Sequence, residues 1–139
     1  SDGQGQLDAP VLVALCQAAQ GLGQTLHRVV DTISDPVGAV SLAQKLGFER
    51  ILTSGGAPKA VHGRAVIGRM IEAGENRIEI MAGSGVSGPV VPQLWAVGVR
   101  SFHGSCAQVL DGDGTRAIEV LALRQLQEAI REAANASDR

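Results

Sequence analysis

The chain has 139 residues, 45% of them hydrophobic, and a formal net charge of -2. That size and apolar share suit one folded domain with a buried core and exclude a disordered or fibrous chain. With mixed charges and no arginine-rich run, the sequence offers no electrostatic footprint for nucleic acid or an anionic membrane, so a small ion or small molecule is the expected partner.

Cys16 and Cys106 are too few and too far apart for a disulfide scaffold, and no apolar run reaches the roughly 18 residues that span a bilayer. No secretory leader pattern is visible, so the expected location is the cytoplasm. Aromatic residues make up 2% of the chain and tyrosine is absent, which leaves the core to Val, Leu, Ile and Ala, the side chains that fill α/β barrels.

In chain order, residues 1–7 read as a polar loop, and Asp8 caps a helix with Pro10 in its first turn. Leu12, Leu15, Cys16 and Ala19 share one face of that helix, which makes Cys16 a small core residue. Gly21 and Gly23 end it, and 25–31 (TLHRVVD) follows as a strand. Asp35-Pro36 opens a helix that Gly47 closes, and 50–54 (RILTS) is the second strand. A helix carrying Val61, Val66, Ile67, Met70 and Ile71 stops near Gly74, ahead of a third strand over 77–83 (RIEIMAG). A helix from Gly88 to Val97 leads to the fourth strand, 99–105 (VRSFHGS). The last helix is expected from Thr115 to Ala134, with Ile118, Leu121, Leu126 and Ile130 on its apolar side.

The strand centres, near His27, Ile51, Ile80 and Phe102, recur every 22 to 29 residues or so, the length of one βα unit. Four such units imply parallel pairing, right-handed crossovers and a sheet covered by helices. Both strand faces read as largely apolar, which requires enclosure. Short strands with chemistry-bearing residues at their carboxyl ends favour an α/β fold of the (β/α)8 TIM-barrel type, of which this chain supplies half. Such a half would expose two unpaired strand edges and an apolar inner face. The chain is therefore expected to pair with another copy, to be part of a longer protein, or to flatten into an open sheet.

From Gly5 onward the sequence resembles the carboxyl-terminal half of the copper homeostasis protein CutC family. The resemblance rests on QLDAP, TLHRVVD, LGFERILTSGG, IMAGSGV and FHGS, and above all on LHR-x-x-D, RILTSG, MAGSGV and FH-x-S occurring in that order. It implies a (β/α)8 barrel of about 250 residues, with this chain supplying strands five to eight. It also implies cytoplasmic copper handling and tolerance, with copper as the candidate ion, and a missing amino-terminal half as an alternative partner to self-association. It implies no particular reaction.

In barrels of this type a substrate phosphate commonly sits on the loops after strands seven and eight, which here are MAGSGVSG and HGSCAQ. Gly83 and Gly85 let backbone N–H groups approach an anion, Ser84 adds a hydroxyl, and Ser87 is placed to cap the following helix. Arg28, Asp31, Thr53, Ser54, His103 and Ser105 are expected at the same rim as the candidate catalytic groups. Strand alternation sends His27 and Arg28 to opposite faces unless a bulge intervenes, and it puts His103 inside, opposite Phe102. His103 there is either a general base or a neutral imidazole bonded to a carbonyl. His27 is expected to be structural and His62 solvated, and Lys59 is read as a surface charge, with contact to an anion as its other reading. Glu79, mid-strand, is expected either to meet an arginine, with Arg50 and Arg100 the natural partners, or to lie near the barrel's wet end.

Copper(I) prefers thiolates and thioethers, then imidazoles. Cys16, Cys106, Met70, Met81 and the three histidines form no C-x-x-C, M-x-x-M or H-x-x-x-H spacing, and both methionines read as core. Cys106 with His103 is the local soft pair, and no residue set is assigned to a metal. Three readings stay open: a copper-handling protein; an enzyme acting on a small anionic or phosphorylated metabolite; and a folding unit with no activity of its own.

Overall fold

A computed structural model describes residues 1–109 and 116–137 of the chain. Helix α1 (Ala9–Ala18) begins where Asp8 accepts the Val11 N–H, with Pro10 in its first turn. Strand β1 (Thr25–His27) is shorter than the apolar run suggests. Arg28 takes a left-handed conformation with φ 54°, and a 3-10 turn over Val29–Thr32 replaces the rest of the expected strand. Asp35 accepts the Gly38 N–H, one turn before helix α2 (Ala39–Lys45), and Gly47 follows at φ 85°.

The order continues with β2 (Arg50–Thr53), α3 (Arg64–Gly74) and β3 (Glu79–Gly83). Left-handed Glu75, not a glycine, caps α3. A 3-10 turn over Gly88–Val90 runs into α4 (Val91–Trp95), and β4 (Ser101–His103) follows. The four strands form one parallel sheet in the order β1-β2-β3-β4, as the alternating pattern requires.

The chain after β4 departs from expectation. Ala107–Val109 (β5) and Arg116–Ile118 (β6) form an antiparallel hairpin, so Ile118 is an exposed strand residue, and Thr115 lies outside the described residues. Helix α5 spans Val120–Ser137. Leu126 is buried, and Ala129, Ile130 and Ala133 pack against the core beside it, whereas Leu121 is exposed. A run of residues with helical periodicity also suits a strand of three, and pairing with β5 decides the matter here.

The two sheet faces differ sharply. Leu26, Ile51, Ile80 and Ala82 point outward to the helices and are buried together with Val30, Val40, Ile67, Met70, Val91 and Leu94. Phe102 joins that side, its ring stacked on Trp95 at 6.3 Å between centroids. By the same alternation the inner face carries Thr25, His27, Arg50, Leu52, Glu79, Met81, Ser101 and His103. Leu52 is buried among them, and the rest are half-buried or exposed. The expectation of an apolar inner face is thus corrected: it is predominantly polar. Met81, expected in the core, lies on this inner side.

On the outer side, Leu12 and Cys16 touch the core from α1, but Leu15 is exposed. The loop from Gly55 to Gly63 folds back on the end of β2 so tightly that a methyl on Gly63 would overlap the Ser54 carbonyl oxygen. Backbone cannot yield there as a flexible side chain would. Gly63→Ala should therefore cost about 1–3 kcal/mol, read as a lower urea midpoint. An unchanged midpoint would show that the loop tolerates the methyl.

Candidate functional site

The carboxyl end of the sheet is organised by Asp31. Its carboxylate accepts from the Thr53 hydroxyl at 2.6 Å, from the Ser54 N–H at 3.0 Å, from the Gly56 N–H at 3.0 Å, and from Arg28 Nε at 2.8 Å, while the Ser54 hydroxyl donates to the Ala57 carbonyl at 2.6 Å. Thr53 and Ser54 are fully buried. These two, expected on the open rim, instead turn into a closed network that ties the turn after β1 to the loop after β2. Burial alone would raise the Asp31 carboxyl, but the hydrogen bonds from Thr53, Gly56, Arg28 and Ser54 outweigh it, and the group lies below its ordinary value.

Arg28 connects this network to solvent. Its Nε sits on Asp31 and its second guanidinium nitrogen donates to Ser54 Oγ at 2.9 Å, while the side chain stays 37% exposed. Arg28 also borders a cleft of about 280 Å³ bounded besides by His27, Leu52, Gly83 to Val86 and His103 to Ser105. His27 and Arg28 share this cleft although adjacent in sequence. The left-handed turn at Arg28 breaks the alternation that would have separated them. His103 lies on the inner face as expected, its Cβ beside Gly83, and Ser105 borders the cleft beyond it.

The glycine-rich loop closes one side. A side chain at Gly83 would strike Leu52 and crowd His103, and Ser84 and Gly85 adopt φ 79° and 67°. The Ser84 hydroxyl donates to the Pro58 carbonyl at 2.7 Å, and the Ser84 carbonyl accepts the Ala60 N–H. The hydroxyl proton is therefore spent on the neighbouring loop. The backbone N–H groups of Ser84, Gly85 and Val86 make no hydrogen bond to any described residue. The stem of Lys59 lies against Gly85, so this lysine is exposed, as a surface charge would be, and also borders the glycine-rich loop. Ser87 stands at the start of the following 3-10 turn without a side-chain cap, which corrects the capping role expected of it.

Three expected site groups, Arg28, His103 and Ser105, thus share one cleft with Gly83, Ser84 and Gly85, while Asp31, Thr53 and Ser54 form the buried support behind Arg28. His27 is the cleft residue that sequence reasoning set aside. Its place opposite Leu26 on a one-sided strand was the available signal. At the opposite end of the inner face Arg50 meets Glu79 at 2.5 Å. The Glu79 carboxyl is lowered first by the Ser101 hydroxyl and then by Arg50. Arg100 lies 4.1 Å over the Trp95 ring instead of reaching Glu79. A larger groove, about 600 Å³, runs between the Gly88–Pro92 segment and α5, away from the strand ends and without imidazole, guanidinium or hydroxyl groups.

A parallel βα sheet that presents its loops and a cleft at the carboxyl ends of its strands is half of a (β/α) barrel. Residues 1–108 match the CutC family, and the chain belongs to it. A CutC family protein of Caulobacter vibrioides is 42% identical over 117 residues, covering 84% of this chain and 48% of its own length. One from Sinorhizobium medicae is 39% identical over 124 residues, covering 86% and 49%. The chain thus spans about half the length of these relatives. A crystal structure of CutC from Streptococcus agalactiae, 31% identical, superposes with a TM-score of 0.67 over 73% of this chain and 50% of the other. A native KDPGal structure, 16% identical, superposes at 0.61 over 94% of this chain and 58% of the other, a likeness of fold.

Because the folded Asp31 carboxyl is lowered, its stabilisation is complete above the ordinary value of 3.8 and is lost as pH falls through the lower folded value. Asp31→Asn should reduce stability by about 1–3 kcal/mol at neutral pH, through donors left without an ionised acceptor. The deficit should shrink towards pH 3 in urea titrations. A deficit that does not change with pH would contradict the ionised network.

Proposed function

We propose that this chain is the working half of a CutC-family barrel that serves copper homeostasis in the cytoplasm, and that its mouth holds a small anionic ligand such as a phosphorylated metabolite. One observation carries the ligand class: Arg28, its guanidinium fixed by Asp31 and Ser54, borders the same cleft as Ser84, Gly85 and Val86, whose backbone amides are free of partners among the described residues. Such donors match the oxygens of a phosphate or carboxylate and need no rearrangement to meet it. His103 and His27, at the two sides of the cleft, supply imidazole nitrogens that can donate or accept a hydrogen bond to such a ligand. This is where a barrel enzyme would place its acid or base.

The copper role comes from the family and from the S. agalactiae relative, which is named as a copper homeostasis protein. The cleft itself suits copper(I) less well. Its donors are nitrogen and oxygen, and Cys106 packs towards the core. Among the described residues no three His, Cys, Asp or Glu side chains gather into a metal-holding group. The reading therefore separates the cellular role, copper homeostasis, from the ligand of the mouth, an anion. The alternative, in which the chain binds copper(I) directly, would use His103 with Cys106.

Calorimetric titration with inorganic phosphate should show saturable binding, and Arg28→Gln should weaken it about 10- to 100-fold through loss of a charge-assisted hydrogen bond. Unaltered affinity in that variant would remove the anion reading. In a parallel competition for copper(I) against a chromogenic chelator, the wild type and Cys106→Ser should behave alike. A high-affinity copper(I) site lost in Cys106→Ser or His103→Ala would favour direct metal binding instead.

A further inference from the structure

The backbone of Lys59 is pinned beside the glycine-rich loop. Its two chain neighbours are both tied to Ser84: the Ser84 hydroxyl donates to the Pro58 carbonyl at 2.7 Å, and the Ala60 N–H donates to the Ser84 carbonyl at 3.0 Å. The Lys59 carbonyl accepts the N–H groups of His62 and Gly63. Its side chain runs along Gly85, where an added methyl would meet Cγ and Cδ at 3.1 Å. A single carbon separates Cδ from the ammonium, so the charge stays near that loop. The residue is nevertheless exposed, and no carboxylate of the described residues pairs with it.

Charge balance at the mouth gives this lysine a role. The Arg28 guanidinium already meets a carboxylate, Asp31 at 2.8 Å, so that pair brings no net charge to an anion. The amides of Ser84, Gly85 and Val86 offer partial charges only. We propose that Lys59 supplies the full countercharge for the ligand, and that it makes the mouth select a doubly charged phosphate monoester over singly charged carboxylates and phosphodiesters. The inference rests on the anion-binding reading of the cleft and narrows it to one ligand class. Coulomb attraction grows in proportion to the ligand's charge, whereas the hydrogen bonds from Arg28 and the loop amides depend chiefly on where its oxygens lie. Lys59 does not bound the cleft itself, and its flexible stem carries the ammonium over the loop to the ligand.

Calorimetric titration of the full chain at about pH 8 tests this, with methyl phosphate as a dianion and dimethyl phosphate as a monoanion that keeps the phosphorus and its ester oxygen. Lys59→Gln should weaken methyl phosphate about 10-fold and dimethyl phosphate about threefold, because the attraction lost doubles with the charge. Lys59→Arg, which keeps the charge, should retain the preference for the dianion. An equal loss for the two ligands in Lys59→Gln would mark damage to the loop instead of a lost charge, and would overturn the proposal. So would unchanged affinity in that variant while Arg28→Gln weakens both ligands, an outcome that leaves the anion reading standing. A wild type that binds neither ligand would overturn the anion reading and this inference with it.

Discussion

The carboxylate of Asp31 fixes the geometry on which the mouth of this half-barrel depends. It gathers donors from three segments: Arg28 after β1, Thr53 and Ser54 at the end of β2, and Gly56 in the loop beyond. Each donor alone would contribute little, because bonds to water are exchanged for bonds to protein. Together they hold a buried anion at the strand ends, and that anion in turn fixes Arg28, which borders the cleft. The loop after β2 is held by the same network and reaches over to the glycine-rich loop after β3 through Pro58 and Ala60. A chain of hydrogen bonds therefore runs along the carboxyl ends of β1, β2 and β3.

Behind the mouth the fold obeys a simple division. Outward-pointing strand residues are aliphatic and seal the helices onto the sheet, and they include Ile51 and Ala82 with no exposed surface. Inward-pointing residues are predominantly polar, from the Arg50–Glu79 pair at one end to His27 and His103 at the other, with Leu52 and Met81 between them. The apolar core and the polar residues that lead to the candidate site thus lie on opposite faces of the same strands. The inner face is therefore mostly polar where a wholly aliphatic barrel would carry an apolar lumen, and the Arg50–Glu79 pair balances charge on it.

Much of this was legible in the sequence. The Asp8 cap, the Asp35 turn, Gly47 and the four parallel strands in order follow from local chemistry that the tertiary structure left intact. The inner position of His103 followed from alternation along β4. What was not legible came from long-range pairing. An unbroken apolar and charged run over 25–31 hides the left-handed Arg28, because a positive φ at a non-glycine residue is imposed by the Asp31 network and not by local preference. Thr53 and Ser54 look like rim hydroxyls until the carboxylate that buries them is placed in space. Ile118 fell on a helical stripe, yet its strand is defined by β5, and the apolar inner face was inferred from composition where only the register could assign faces.

The most direct test of the site is an amide-proton and nitrogen-15 NMR titration of the chain with inorganic phosphate. Saturable shifts confined to the Ser84, Gly85 and Val86 amides and the Arg28 Nε proton, and much weakened when Asp31 is replaced by Asn, are what a mouth preorganised by that carboxylate predicts. Shifts scattered over exposed lysines and arginines, or a loop response indifferent to Asp31, would contradict it.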